Sequence, residues 1–291
     1  MKRISLLIAA ALLIFVLCGC GNPQPNTQIV ATTLPVYEFT TMLCAQTPLT
    51  VSRLVNEEIS CLHDYTLQTQ QMRLLENAKV VVLSGSGLEA FIDHSILENK
   101  YVVDASSSII PICETSHHKH NSEHNHDEDP HIWLSPIHAV TMAETIAKEL
   151  ADLYPEHKDT IESNLQTLKQ KLNELSTYAA EQLKNLSQRQ LITFHDGFSY
   201  MADAFGLTIL HAIEEESGSE ASAEELINLI TLVKENDLHT IFTEKNGSTS
   251  AAQIVAAETG AGIYQLDMVI AGESYFDAMY QNINTLKEAL E

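Results

Sequence analysis

Basic residues are scarce in this chain: 16 Lys and Arg stand against 39 Asp and Glu, a formal net charge of −23. That balance argues against nucleic acid as a partner and against a basic face lying on an anionic membrane. Cysteine is scarce too. Of the five, Cys18 and Cys20 fall in the leading segment, which leaves Cys44, Cys61 and Cys113. No C-x-x-C spacing occurs, so a thiolate site of the zinc-finger type is not expected. The odd count allows one disulfide and one free thiol, and the sequence does not say which pair, if any, forms; for Cys61 itself a partner in Cys44 or Cys113 is a better expectation than a metal. H-E-x-x-H and G-x-S-x-G are also missing, which removes two familiar hydrolase signatures.

The leading segment has another character. Lys2 and Arg3 precede an apolar run, Ile4 to Leu17, that is short for a permanent span and closes on small residues and cysteine. Leu17-Cys18-Gly19-Cys20 resembles the lipobox of bacterial lipoproteins, although Cys18 departs from the usual small or hydroxylated residue. The resemblance implies cleavage before Cys20 and a lipid on its thiol, which anchors a protein outside the cytoplasm without threading it through the membrane. An ordinary secretory signal is the plainer alternative. The expected organisation is a signal peptide over 1–19, a polar tether over 20–28, an α/β lobe over 29–154, a linking helix over 155–186 and a second α/β lobe over 187–291.

The lobes are read from pattern. Short β-branched or apolar runs at 27–33, 49–55, 79–84 and 101–104 alternate with helical stretches at 35–45 and 66–77. Continuous runs such as Lys79-Val80-Val81-Val82-Leu83-Ser84 suit buried parallel strands. After residue 187 the alternation resumes, with strands at 190–193, 207–212, 239–243 and 262–265 and helices at 197–205, 222–236, 250–259 and 275–290. Ser222 and Glu225 have the spacing of a capping box. Between the lobes, Ile161, Leu165, Leu168, Leu172, Leu175, Ala179 and Leu186 recur at helical spacing with no Gly or Pro to interrupt them. That stripe predicts one helix of about thirty residues, roughly 45 Å long. The fold class is therefore α/β: two lobes with parallel sheets joined by a rigid helix.

Three histidines follow strands or close a loop in places where α/β sheets bind ligands, beyond the carboxyl ends of strands. They are His63 in Cys-Leu-His-Asp-Tyr, His131 in Asp-Pro-His-Ile-Trp, and His195 in Thr-Phe-His-Asp-Gly. Asp267 holds an equivalent position after the last strand. Three imidazoles and a carboxylate form a borderline-soft set of four donors, suited to tetrahedral Zn²⁺ rather than to Mg²⁺ or Ca²⁺. Glu244, also at a strand end, is either an acceptor that orients a ligand imidazole or a partner in a salt bridge within the lobe.

These residues resemble a family, the metal-specific solute-binding lipoproteins of bacterial ABC transporters for zinc and manganese. The resemblance runs through the mature chain, on HDY at 63–65, LLENAKVVVLSGSGLEAFID at 74–93, DPHIWLSP at 129–136, FHDGFSYMADAFGL at 194–207, FTEKNGS at 242–248 and YFDAMYQNINTLKEAL at 275–290. It implies His63, His131, His195 and Asp267 as metal ligands in a cleft between the lobes, and a monomer that hands its metal to a cognate permease and ATPase. Manganese-type members carry glutamate at the third position and zinc-type members histidine; His195 points to Zn²⁺ rather than Mn²⁺. The family usually has a Gly- or Pro-containing turn before the first ligand, where this chain has Val55 to Leu62.

The stretch from His117 to Trp133 packs six histidines and four acids into seventeen residues. It offers His117, His118, His120, His124 and His126 as exchangeable sites in a loop, 117–129, that lacks apolar residues. The functional reading is an auxiliary site that captures zinc near the main one; the alternative is a tolerated polar insertion. For the whole chain the competing functions are a manganese-binding member of the same family, a zinc-dependent hydrolase, and an adhesin-like surface lipoprotein. A hydrolase needs an open metal position, which a fourth protein ligand at Asp267 would close.

Overall fold

Val80, Val81 and Val82 form an unbroken apolar run because both faces of their strand are covered. In the computed structural model, which describes residues 29–59, 62, 65–112, 129–213 and 221–291, Val80 and Val82 enter the central core. Val81 joins Val30, Leu54, Leu75 and Ile92 in a separate cluster. Ile29 and Ala31 share the central core, opposite Val30. Helices on both sides of a parallel sheet produce this two-sided burial.

The first lobe runs β1 (Ile29–Ala31), α1 (Leu34–Leu43), β2 (Val51–Arg53), α2 (Thr69–Asn77), β3 (Val80–Leu83), α3 (His94–Leu97) and β4 (Tyr101–Asp104). Two helices follow, α4 (Pro136–Leu153) and α5 (Lys158–Gln182). The second lobe runs β5 (Gln190–Thr193), α6 (Ser199–Phe205), β6 (Thr208–Ala212), α7 (Ala223–Glu235), β7 (Thr240–Glu244), α8 (Ser250–Thr259), β8 (Gly262–Leu266) and α9 (Tyr275–Leu290). The sheets are ordered β2-β1-β3-β4 and β6-β5-β7-β8, with all pairs parallel. The lobes thus repeat one arrangement although no internal repeat is legible in the sequence. Each order reverses between its first and third strands, and ligands of such sheets bind outside the strand ends at that reversal.

The helix expected over 155–186 begins as a 3₁₀ turn at Pro155–His157 and continues as α5, 25 residues and about 37 Å long. It stops at Gln182, where Arg189 Nη2 donates to the carbonyls of Leu183 and Lys184 at 2.8 and 3.3 Å. A side-chain cation on a helix's last carbonyls satisfies groups that have no partner within the helix. α5 is not a bare strut. Ile161, Leu168, Leu172, Leu175 and Ala179 are buried against α4 and α1 of the first lobe and α9 of the second. Each large apolar side chain so buried contributes about 1.5–3 kcal/mol relative to exposure.

α4 is absent from the pattern reading above. Ser135 caps it, its Oγ accepting from His138 N at 3.4 Å, and Pro136 opens it. Ala139, Ala143, Ala147 and Ala151 keep its inner face slim, which lets α5 pack closely beside it. The capping box at α7 is present, with Ser222 N donating to Glu225 Oε2 at 2.7 Å and Glu225 N to Ser222 Oγ at 3.2 Å.

The lobes share one core, which takes in Ile29 and Val80 from the first sheet and Leu191, Phe242 and Leu266 from the second. The stretch between β8 and α9 lies along the first lobe. Leu34 N donates to Ile270 O at 2.9 Å, Arg53 Nη1 to Gly272 O at 2.6 Å, and Tyr275 N to Glu38 Oε2 at 2.6 Å. Large apolar contact of this kind opposes free rotation of one lobe against the other.

Cys44 does not form the disulfide considered for it. It is a free, buried thiol whose pKa burial pushes up to about 12. Cys61 and Cys113 lie outside the described residues, as do the leader with Cys20 and the acidic run from Glu214 to Glu216. Among the described residues no helix is long and apolar enough to cross a membrane.

Candidate metal centre

β5 and β7 are neighbours at the reversal point of the second sheet, and Phe194 N donates to Phe242 O at 2.9 Å just beyond their paired residues. The residues that follow, His195 and Glu244, are therefore brought side by side. His195 Nδ1 lies 3.4 Å from Glu244 Oε2, and both side chains are largely buried. A carboxylate at Nδ1 favours the proton on that nitrogen and leaves Nε2, also buried, with the lone pair. Glu244 sits on Gly247, where an added Cβ would fall 2.3 Å from its Cγ.

His131 comes from the first lobe, between β4 and α4, and is 1 % exposed. Its backbone N and its ring Nδ1 both point at Asp129 Oδ1, at 2.9 and 2.8 Å. A carboxylate oxygen accepts, so Nδ1 donates to it and the lone pair of the His131 ring is on Nε2. Asp129 Oδ2 is buried and has no hydrogen-bond partner among the described residues. An uncompensated carboxylate oxygen is costly unless positive charge comes close, and an imidazole bound to a dication supplies it. Asp129 was not singled out in the sequence, although its i, i+2 spacing from a histidine was there to be read.

The two imidazoles meet edge to face, with ring centroids 5.5 Å apart at 78°. Trp133 packs against His131 at 5.4 Å, its Nε1 donates to Met268 O at 2.8 Å, and its own carbonyl accepts from Tyr275 Oη at 2.8 Å. Gly197 leaves the space that this meeting requires. A Cβ there would lie 2.8 Å from His131 Nδ1, 2.8 Å from His195 Cδ2 and 2.5 Å from Met268 Cε. No side chain larger than hydrogen fits without displacing one of them.

Asp267 follows β8 and is held by its backbone: Asn282 Oδ1 accepts from Asp267 N, and Asn282 Nδ2 donates to Asp267 O, both at 2.8 Å. Its Oδ1 accepts from Val269 N at 2.7 Å, and its Oδ2 lies 3.0 Å from Lys245 Nζ. Among the described residues no three His, Cys, Asp or Glu side chains converge as a complete metal-binding group. The structure brings His131 and His195 together and turns Asp267 towards Lys245. His63 and the loop histidines His117, His118, His120, His124 and His126 lie outside the described residues. His138 has its Nδ1 2.9 Å from Ser135 Oγ.

Residues 29–289 match the family model described as zinc-uptake complex component A, periplasmic. The chain is 30 % identical to the zinc-binding lipoprotein AdcA of Streptococcus pneumoniae strain R6, aligned over its whole length but spanning only 62 % of that relative. A putative metal-binding protein of Treponema pallidum is 29 % identical, with 99 % of this chain and 97 % of the relative covered. The solved structure of ZnuA superposes with a TM-score of 0.77 at 31 % identity, over 91 % of this chain and all of that one. The chain belongs to the zinc-uptake complex component A family, ZnuA.

Proposed function

We propose that the protein is the extracytoplasmic zinc-binding component of an ABC uptake transporter, which captures Zn²⁺ and passes it to a membrane permease driven by an ATPase. The observation that carries this reading is the pair His131 and His195, one from each lobe, with ring centroids 5.5 Å apart and a carboxylate at each Nδ1. Asp129 and Glu244 set the same tautomer on both rings and raise the basicity of the two Nε2 atoms, as carboxylates behind ligand imidazoles do. His63 is the third nitrogen donor and Asp267 the oxygen donor. Three imidazoles with one carboxylate favour zinc over manganese, which prefers harder oxygen-rich sites.

The work done is capture and release, with no chemical step on a substrate. Among the described residues, the Asp129 carboxylate accepts from His131 and the Glu244 carboxylate lies beside His195, as orienting partners of ligand imidazoles do. The lipid on Cys20 keeps the protein at the membrane near its permease. His117, His118, His120, His124 and His126 supply weaker, exchangeable imidazoles that assist capture.

The test is a zinc titration of the soluble form beginning at Gly21, against a competing chelator, beside His195→Ala. One tight zinc per chain, lost in the variant, supports the reading. A variant that keeps its tight zinc places the site elsewhere.

A further inference from the structure

Lys245 and Asp267 leave adjacent strand ends together. Lys245 N donates to Leu266 O at 2.8 Å, which carries the β7–β8 pairing one residue further and starts the lysine side chain beside Asp267. Of the two carboxylate oxygens, Oδ1 is held by Val269 N at 2.7 Å and Oδ2 by Lys245 Nζ at 3.0 Å. Asn282 clasps the Asp267 backbone on both sides, so the carboxylate cannot be carried to a new place without breaking the strand end. The amide contact is local and fixed. The ammonium rides on a flexible four-carbon stem, and the lysine side chain is 55 % exposed. Oδ2 is therefore the oxygen that can be surrendered, and Lys245 is the group that must surrender it.

We propose that Lys245 is a displaceable cation for Asp267, holding Oδ2 when no metal is bound, leaving as zinc arrives and returning as zinc departs. The proposal rests on Asp267 being a zinc ligand. Lys245 is then a positioning residue that acts through Asp267: it lowers zinc affinity and speeds release, which suits a protein that must give its cargo up. An exposed ammonium–carboxylate contact is weak enough for a dication to replace it.

The test is zinc affinity by chelator competition, and the rate of chelator-driven zinc loss, in wild type, Lys245→Met, Lys245→Arg, Asp267→Asn and the double variant Lys245→Met/Asp267→Asn. Lys245→Met binds zinc up to about fivefold tighter and releases it correspondingly more slowly, the scale on which an exposed ion pair acts. Lys245→Arg, which keeps the cation, stays close to wild type. In the Asp267→Asn background, Lys245→Met changes nothing, because the carboxylate it competes for is gone. Equal or weaker zinc binding by Lys245→Met overturns the proposal, and so does a full effect in the Asp267→Asn background. Absence of tight zinc from wild type itself defeats the zinc reading, an outcome separate from either of these.

Discussion

One carboxylate oxygen, Asp129 Oδ1, receives both the backbone N–H and the ring Nδ1–H of His131, at 2.9 and 2.8 Å. The residue that orients His131, the proposed ligand, is thus two positions before it in the chain, a local contact within one segment. Replacing Asp129 with Ala frees the imidazole to rotate and to change tautomer. Zinc affinity then falls about 10- to 100-fold, the usual cost of losing such a partner. Circular dichroism of the metal-free protein stays close to wild type. Unchanged affinity contradicts the assignment of His131 Nε2 as the donor atom.

Gly197→Ala tests the meeting of the lobes without replacing either proposed ligand. The new methyl group must displace His131, His195 or Met268, which lie within 2.8 Å of its position. Overpacking of this kind costs about 1–3 kcal/mol, and here the strain falls on both imidazoles. Both the melting temperature and the zinc affinity drop, with affinity down about fivefold or more by the same energy. A variant that melts lower yet binds zinc normally separates Gly197 from the site.

Glu89 gives the metal-free protein a pH dependence of its own. Its carboxylate accepts from Thr32 Oγ1 at 2.6 Å, Ser84 N at 2.7 Å and Gly85 N at 3.1 Å, and burial outweighs these bonds and raises its pKa from 4.5 to about 7. The folded state therefore binds the proton more tightly than the unfolded chain does. Stability is lost as pH rises from about 4.5 to about 7 and levels off above, by up to about 3 kcal/mol. Denaturant unfolding of wild type and Glu89→Gln across that window shows wild type losing ground to the variant as pH increases. Parallel curves contradict the assignment.

Removal of residues 117–128, stopping short of Asp129, leaves one tight zinc and abolishes weaker binding in a titration. Loss of the tight zinc shows that the loop supplies a primary ligand.

Much of the fold was legible because its signals are local. Runs such as Val80-Val81-Val82-Leu83 announce strands covered on both faces, and β4 and β5 fall where the pattern places them. His195 and Glu244 were marked by strand ends alone. α4 was not read because it follows directly on the histidine-rich stretch, and Ala139, Ala143, Ala147 and Ala151 on its inner face are a weak apolar signal. The partners of the site residues were less legible still. That Asp129 holds His131, that Lys245 holds Asp267, and that Gly197 must be glycine are facts about atoms brought together by the fold. The identical strand order of the two lobes was invisible for a similar reason: topology is preserved by burial pattern, which different apolar residues satisfy equally well.

The most direct measurement is zinc K-edge X-ray absorption on the protein loaded with one equivalent of zinc. The proposed site gives a four-coordinate nitrogen and oxygen shell at about 2.0–2.1 Å, with the multiple scattering of three imidazoles and no sulfur. A sulfur shell at about 2.3 Å would bring Cys61 into the site and contradict the ligand set; a six-coordinate oxygen shell would contradict it as fully.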